Sequence, residues 1–292
     1  MTHSPTAIFS TKPHVVGDES FVDRAPAAPA EETVTTVIAN DWINDEYKHL
    51  VVTATPKALS AKPGQFFHWL CPSPDEGELW LRRPQSIYVV DKERQRLEFL
   101  YKTVGRGTKG TAMLEPGDEF NIVGPLGAGF TMDPAWKHVV VLGRGVGLAT
   151  LAPISQMIAE NQVGATVILS ARSPELAMSG DLFAKAGAEI VTVTDTDGSS
   201  DLANVEAIIE ARIAAGCADA FYTCGSNRLF LLMKHLGATH GIPGQVAMEQ
   251  IMACGLGPCY VCVRTFEING HKTLKRVCID GPVFDMQEAM GW

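Results

Sequence analysis

The segment Cys254-Gly-Leu-Gly-Pro-Cys259-Tyr-Val-Cys262 is followed, after a gap, by Cys278. Thiolates bind soft metals, and C-x4-C-x2-C…C is the spacing of plant-type [2Fe–2S] clusters, where one loop wraps the cluster and a fourth ligand arrives from further along. Gly255 and Gly257 suit such a loop, which needs positive φ angles and bare backbone N–H groups near the sulfurs. Structural zinc is the competing chemistry, but a four-thiolate zinc site presents two C-x2-C pairs and this chain has one. Seven cysteines, an odd number, do not suit a disulfide framework.

A second constellation is Gly143-Arg144-Gly145-Val146-Gly147, directly after the apolar run Val139 to Leu142 and before a helical stretch. In that context glycines let backbone N–H groups and a helix N-terminus face a pyrophosphate. The six-residue dinucleotide fingerprint is incomplete. Leu148 replaces its last glycine, and Ala171-Arg172-Ser173 stands where an acidic residue should close the second strand. A plain tight turn explains these glycines equally well. Arg172 reads either as a partner for a ribose 2′-phosphate or as an ion-paired surface group.

A third set comprises Leu81-Arg82-Arg83-Pro84-Gln85-Ser86, then Leu100-Tyr101-Lys102 leading to Gly105-Arg106-Gly107-Thr108-Lys109, then Gly124-Pro125-Leu126-Gly127. An Arg beside a Pro can place a guanidinium on a phosphate, and a turn carrying Thr108 can present backbone donors to another phosphate oxygen. Strand-end basic residues and a hairpin turn are the structural alternative at each place.

Three scaffolds are needed to hold these residues. Residues 32–132 show short β-rich runs separated by Pro63-Gly64, Pro72-Ser73-Pro74 and Pro116-Gly117-Asp118, which predicts an antiparallel barrel or sandwich. Residues 133–247 alternate buried-looking strands (Val139 to Leu142, Thr166 to Leu169, Glu189 to Thr194, Ala220 to Thr223) with helical stretches (Leu148 to Glu160, Leu176 to Ala186, Asn204 to Ala215, Asn227 to Leu236). That rhythm predicts an α/β unit with a doubly wound parallel sheet. Residues 248–292 are too few for a core of their own and need a metal centre. Residues 1–31 carry Pro5, Pro13, Pro26 and Pro29 and read as an extended or mobile arm.

Composition narrows the function classes. At 46% hydrophobic and 20% charged the chain is globular, and its formal charge of −9 opposes a dedicated nucleic-acid binder, which needs a basic face. Neither an apolar run long enough to span a membrane nor a secretion-signal pattern is present, so the expected location is cytoplasmic. Arg264, Lys272, Lys275 and Arg276 form a locally basic stretch that reads as a steering patch for an acidic partner or as a solvated hairpin.

Taken in order, these motifs resemble the electron-transfer subunit of heterotetrameric dihydroorotate dehydrogenase, within the ferredoxin-reductase-like flavoproteins. The resemblance runs from about Thr33 to the C-terminus and is closest in Met248-Glu249, Met252-Ala-Cys254-Gly-Leu-Gly-Pro-Cys259 and Val277-Cys278-Ile279-Asp280-Gly281-Pro282-Val283-Phe284. It implies an FAD-binding barrel, an NAD(P)-binding domain and a [2Fe–2S] subdomain. It assigns FAD contacts to Arg83, Pro84, Gln85, Ser86, Leu100, Tyr101, Lys102, Gly107 and Thr108, with Ser86 as the hydrogen-bonding candidate near flavin N5. Nucleotide contacts fall to Gly143, Gly145 and Gly147, and the cluster ligands are Cys254, Cys259, Cys262 and Cys278. Cys224 matches a Cys-Gly-Pro element near the nicotinamide, with Ser226 in place of the Pro, and reads equally as a small buried hydrophobe.

The chain departs from that pattern at Arg144, which replaces a Gly of the nucleotide turn, in its N-terminal arm, and in the insertion Cys71 to Trp80. The implied function is passage of electrons between NAD(H) or NADP(H), FAD, a [2Fe–2S] cluster and a partner catalytic flavoprotein. Alternatives are the reductase component of an oxygenase or other dehydrogenase, with an oxygenase subunit as partner, and a non-enzymatic redox or metal sensor.

Overall fold

The computed structural model describes residues 30–292 and, before them, only the strands His14–Val16 and Glu19–Phe21. The rest of the arm expected over 1–31 lies outside the described residues. The two strands pair antiparallel, and the second runs parallel to His271–Arg276, the return strand of a hairpin with Val263–Ile268.

Seven strands form an antiparallel sheet in the order Arg83–Ser86, Phe66–Trp69, Glu119–Leu126, Glu31–Trp42, Tyr47–Thr53, Arg96–Lys102, Val89–Asp91. The single strand expected over Ser86 to Val90 is therefore two, lying at opposite edges. Ile87 and Tyr88 carry the chain between them: Ile87 N–H donates to the Gln65 carbonyl at 3.0 Å, and Tyr88 N–H to the Glu98 carbonyl at 2.9 Å. This crossing closes the sheet into a barrel. Leu97, Phe99 and Tyr101 alternate into its core, where Trp69 meets Phe99, Tyr101 and Phe120 edge-to-face at 5.0–5.3 Å. The Gly-rich segment beyond is a short helix, Arg106–Thr111, rather than a hairpin turn. The Thr108 hydroxyl caps it by accepting from the N–H groups of Val104 and Gly105 at 3.0 and 3.2 Å.

The α/β unit is a six-stranded sheet ordered Glu189–Thr194, Gly164–Ala171, His138–Arg144, Ala220–Cys224, Gly244–Ala247, Val283–Asp285, parallel except for the last strand. Helices on its faces explain why Val139 to Leu142 is an unbroken apolar run, every member fully buried. Pro153 breaks the helix expected over Leu148 to Glu160 into Gly147–Leu151 and Ile154–Asn161. The stretch Leu176 to Ala186 shortens to the helix Gly180–Lys185, while Leu202–Ala214 and Asn227–His240 run close to expectation. Strand order reverses between His138–Arg144 and Ala220–Cys224, so the crevice for a ligand lies at the carboxyl ends of these two strands.

The C-terminal segment shares the α/β core. Cys262, Phe266, Val277, Cys278 and Phe284 pack in one cluster with Val140, Phe221 and Val246, and Val283–Asp285 is itself a strand of the larger sheet. Among the described residues no helix is long and apolar enough to cross a membrane.

Candidate functional site

The barrel, the Gly-rich turn, the segment entering the Cys loop and the chain's last residues enclose a cavity of about 1150 Å³. That exceeds ordinary small-ligand pockets and suits a dinucleotide. Arg83, Pro84, Gln85 and Ser86 line one wall and Leu100 another. The neighbours of Leu100 do something else. The Tyr101 ring points into the barrel core, its hydroxyl donating to Asn40 Oδ1 at 3.0 Å, so its side chain does not reach the cavity. Lys102 Nζ pairs with Glu46 at 2.7 Å over the Tyr47 ring.

The strand still has an unpaired edge. Beyond Glu98 no described strand pairs with its outer side, and the Glu98 carbonyl, taken by Tyr88, shows which residues face outward. By alternation Leu100 and Lys102 leave their N–H and C=O groups there. Gly107 and Thr108 lie outside the lining, Gly107 against Arg83. A Cβ on Gly107 would lie 3.1 Å from Arg83 Cγ and 3.3 Å from Cys71 Sγ, so this glycine makes room for the arginine stem. The Arg83 guanidinium donates to the Leu81 carbonyl.

A polar line joins the two domains. Thr150 donates to Ser86 Oγ at 3.0 Å and is hydrogen-bonded with the Cys224 thiol, which burial pushes far above its ordinary pKa. Cys224 is therefore a neutral thiol behind Thr150. Thr150 carried no sequence signal beyond following the glycines. Glu249, which the sequence marks only as part of the Met248-Glu249 resemblance, faces the cavity opening, yet the protein packed about it raises its carboxyl pKa. Arg264 donates to the Glu249 carbonyl at 3.3 Å and stacks over Trp292 at 5.2 Å.

At the strand-order reversal, two turns press together. A Cβ on Gly147 would come within 2.5 Å of the Cys224 carbonyl oxygen, and Gly225, at φ +96°, approaches the Arg144 carbonyl just as closely. Gly143 accommodates Leu148 and Leu151, and Gly145 has φ +57°. These glycines let the two turns pack backbone against backbone at the crevice. Arg172 is ion-paired with Glu46 across the domain boundary, which also ties that boundary to Lys102.

The thiols of the Cys loop associate in pairs. Cys254 is hydrogen-bonded with Cys259, and Cys262 with Cys278; the bond from Cys278 pushes Cys262 down to about 6 while the Cys278 thiol is driven strongly up. Cys278 N–H also donates to Cys262 Sγ at 3.4 Å. Among the described residues no three metal-binding side chains converge on one point. Two thiol pairs match two irons with two ligands each better than one tetrahedral ion, so the donor set fits a [2Fe–2S] cluster. Gly255, Gly257 and Tyr260 bend the loop through positive φ. Gly255 lies against His68 of the barrel, a buried ring whose Nε2 lacks a partner and whose pKa burial lowers to about 4.

Of the expected basic stretch, Lys272 is exposed and Arg264 half-buried, while the other two cations leave the surface. Lys275 is buried, pairs with Glu288 at 2.6 Å and sits over Phe266 at 5.2 Å; Arg276 is buried and pairs with Asp280 at 3.5 Å. As consecutive strand residues they face opposite sides, and both sides are covered: Lys275 by Phe266 and Glu288, Arg276 by Tyr260 and Asp280. Around the cluster loop the exposed groups are instead apolar: Leu256, Tyr260 and Val261, beside an exposed Cys259.

Comparison with known proteins agrees with this layout. Residues 249–289 match the iron-sulfur cluster binding domain of dihydroorotate dehydrogenase B. The chain is 33% identical over 227 residues to the dihydroorotate dehydrogenase B (NAD(+)) electron transfer subunit of Desulforamulus reducens, covering 78% of this chain and 86% of that one. It is 33% identical over 265 residues to the corresponding subunit of Enterococcus faecalis, covering 89% and 98%. Two solved structures share the fold. One is from the NADH-dependent reduced ferredoxin-NADP oxidoreductase (TM-score 0.73, 23% identity, 88% of this chain and 89% of that one). The other is the ferredoxin reductase of carbazole 1,9a-dioxygenase (TM-score 0.56, 18% identity, 74% and 68%).

Proposed function

This chain belongs to the family of dihydroorotate dehydrogenase B electron transfer subunits, and from that premise we propose where each redox group is held and how the residues serve it. FAD occupies the large cavity, with Arg83 to Ser86 and the outward backbone of Leu100 and Lys102 as its contacts. A nicotinamide dinucleotide enters at the turns Gly143 to Gly147 and Cys224-Gly225. The [2Fe–2S] cluster is held by Cys254, Cys259, Cys262 and Cys278, and a catalytic partner subunit docks over the apolar cluster loop. When bound, the flavin interconverts two-electron hydride chemistry with the one-electron chemistry of the cluster.

The observation that carries this reading is the cavity itself. Its walls come at once from the barrel strand Arg83–Ser86, from Val146, Ala149 and Thr150 of the nucleotide turn, and from Met248 to Met252 leading into the Cys loop. The chain's own groups orient and exclude water. Thr150 fixes the Ser86 hydroxyl at 3.0 Å, leaving the Ser86 proton to serve a ligand. Cys224, held neutral, offers no competing nucleophile. Trp292, stacked on Phe230 at 5.7 Å and capped by Arg264, closes the apolar side.

The test is an anaerobic titration, followed by absorbance, of protein purified with its natural partner, first with NADH and then with NADPH. The expected preparation is yellow-brown and bleaches in both its flavin and its cluster bands. Colourless protein containing zinc would overturn the reading.

A further inference from the structure

Arg144, the residue that breaks the glycine pattern of the nucleotide turn, does not point outward from it. Its side chain crosses the end of the neighbouring strand, where Nη1 donates to Ser170 Oγ at 2.8 Å, and its Nη2 reaches Asp195 Oδ2 at 2.6 Å, one strand further on. Asp195 follows the last residue of Glu189–Thr194, on the carboxyl edge of the sheet. It also accepts from Ser200 Oγ, and Arg228, in the first turn of Asn227–His240, approaches its other oxygen at 4.0 Å. Arg228 in turn donates to the Ser200 carbonyl at 3.3 Å. Two guanidiniums, one from each of the turns flanking the strand-order reversal, therefore converge on one carboxylate. That carboxylate keeps 44% of its side chain exposed at the carboxyl edge of the sheet.

The charges there are a choice between two nucleotides. A ribose with free 2′ and 3′ hydroxyls needs an acceptor, which an exposed carboxylate supplies; a 2′-phosphate needs cations and is repelled by that carboxylate. We propose that Asp195 is the specificity-determining residue of this chain, receiving the unphosphorylated adenosine ribose, and that Arg144 and Arg228 are a latent 2′-phosphate site which Asp195 neutralises. Resting on the nucleotide site assigned above, the proposal accounts for Arg144: it fixes the carboxylate at the edge where the second-strand acidic residue is missing. The Arg144 and Ser200 hydrogen bonds hold Asp195 well below the ordinary carboxylate pKa, so it stays charged at any working pH.

The test uses the full chain with its flavin and cluster, and measures calorimetric binding of 5′-ADP and 2′,5′-ADP alongside kcat/KM for NADH and NADPH. The unaltered chain should favour 5′-ADP by at least about tenfold. Asp195→Ser should reverse the ratio, by roughly a hundredfold in total, through a gain in 2′,5′-ADP binding. Asp195→Asn, which keeps the shape and the Ser200 contact, should move it in the same direction, so a folding defect in one variant leaves the other to decide. Adding Arg144→Gly to either should abolish the gain. Binding of both fragments with an unchanged ratio, or a gain that survives Arg144→Gly, overturns the proposal alone. Failure of either fragment to bind any variant overturns it together with the nucleotide site on which it rests.

Discussion

Gly255→Ala should free the cluster loop from the barrel, and the size of the effect can be worked from two contributions. Gly255 has φ +69°, a left-handed conformation that costs an L-residue about 1 kcal/mol. Its added Cβ would sit 2.6 Å from His68 Nδ1 and 2.7 Å from Cε1. That ring is 1% exposed and braced edge-on by Phe66 at 6.0 Å, so it cannot swing aside, and overpacking of this kind costs about 1–3 kcal/mol. The sum is about 2–4 kcal/mol of local destabilisation. Because the C-terminal segment shares its core with the α/β sheet, the proper readout is local opening. The assay is the rate at which a chelator in mild denaturant bleaches the cluster absorbance while the flavin band persists. A shift of about 3 kcal/mol corresponds to bleaching roughly a hundredfold faster. His68→Ala removes the clash but leaves a cavity of its own, so the comparison is a cycle: in the His68→Ala background, adding Gly255→Ala should cost only the φ contribution. A single variant within threefold of the parent, or a Gly255→Ala effect as large in the His68→Ala background as in the parent, would refute the claim that His68 sets the loop.

Other outcomes follow from the same geometry. His68 is buried neutral with its pKa lowered to about 4, against 6.5 in the unfolded chain. Its contribution is therefore complete above pH 6.5 and is lost as pH falls toward 4, by roughly 3 kcal/mol in all. Denaturation of His68→Gln should show that acid slope flattened, and an unchanged slope would assign it elsewhere. Thr150→Val keeps the side-chain shape but cuts the line from Ser86 to Cys224. It should cost about 1 kcal/mol of stability and slow flavin reduction by NADH several-fold with the colour retained; stopped-flow rates equal to the parent's would exclude a positioning role. Lys275→Met leaves a partly exposed Glu288 without its partner and should cost about 1–2 kcal/mol, with no change in the salt dependence of partner reduction. A salt-dependent rate loss would instead return Lys275 to the docking surface.

What the sequence made legible was whatever depends on spacing along the chain. Cys254, Cys259 and Cys262, Arg83 to Ser86 and the glycines at 143, 145 and 147 sit in contiguous motifs, with Cys278 a fixed spacing further on. Periodicity also found the strand Glu189–Thr194 to the residue, because it is bounded by turn chemistry. Contacts set by the third dimension were not legible. Tyr101 lies between two residues of the strand's unpaired edge, and only strand alternation sends its ring to Asn40. Thr150 matters because the nucleotide turn abuts Ser86, sixty-four positions earlier. Lys275 and Arg276 look like a solvated basic pair until the hairpin folds them onto Glu288 and Asp280, since nothing in a charge pattern reports which face of a strand is covered.

The three units are fastened to one another at the places where electrons would pass between them. The Cys loop touches the barrel through Gly255 and His68, and Ala128 N–H, just past the barrel, donates to the Gly281 carbonyl at 2.5 Å. The same C-terminal segment enters the α/β sheet as Val283–Asp285, and Met248 N–H closes onto the Pro282 carbonyl at 2.9 Å. Glu46 binds Lys102 of the barrel and Arg172 of the α/β unit at once. Domains joined only by linkers drift relative to one another, whereas here each pair of units shares buried side chains or backbone hydrogen bonds. Groups bound in such a frame keep their separations without a closing motion. Internal electron transfer between flavin and cluster should therefore be insensitive to solvent viscosity, and a rate that falls as viscosity rises would show that a domain movement intervenes.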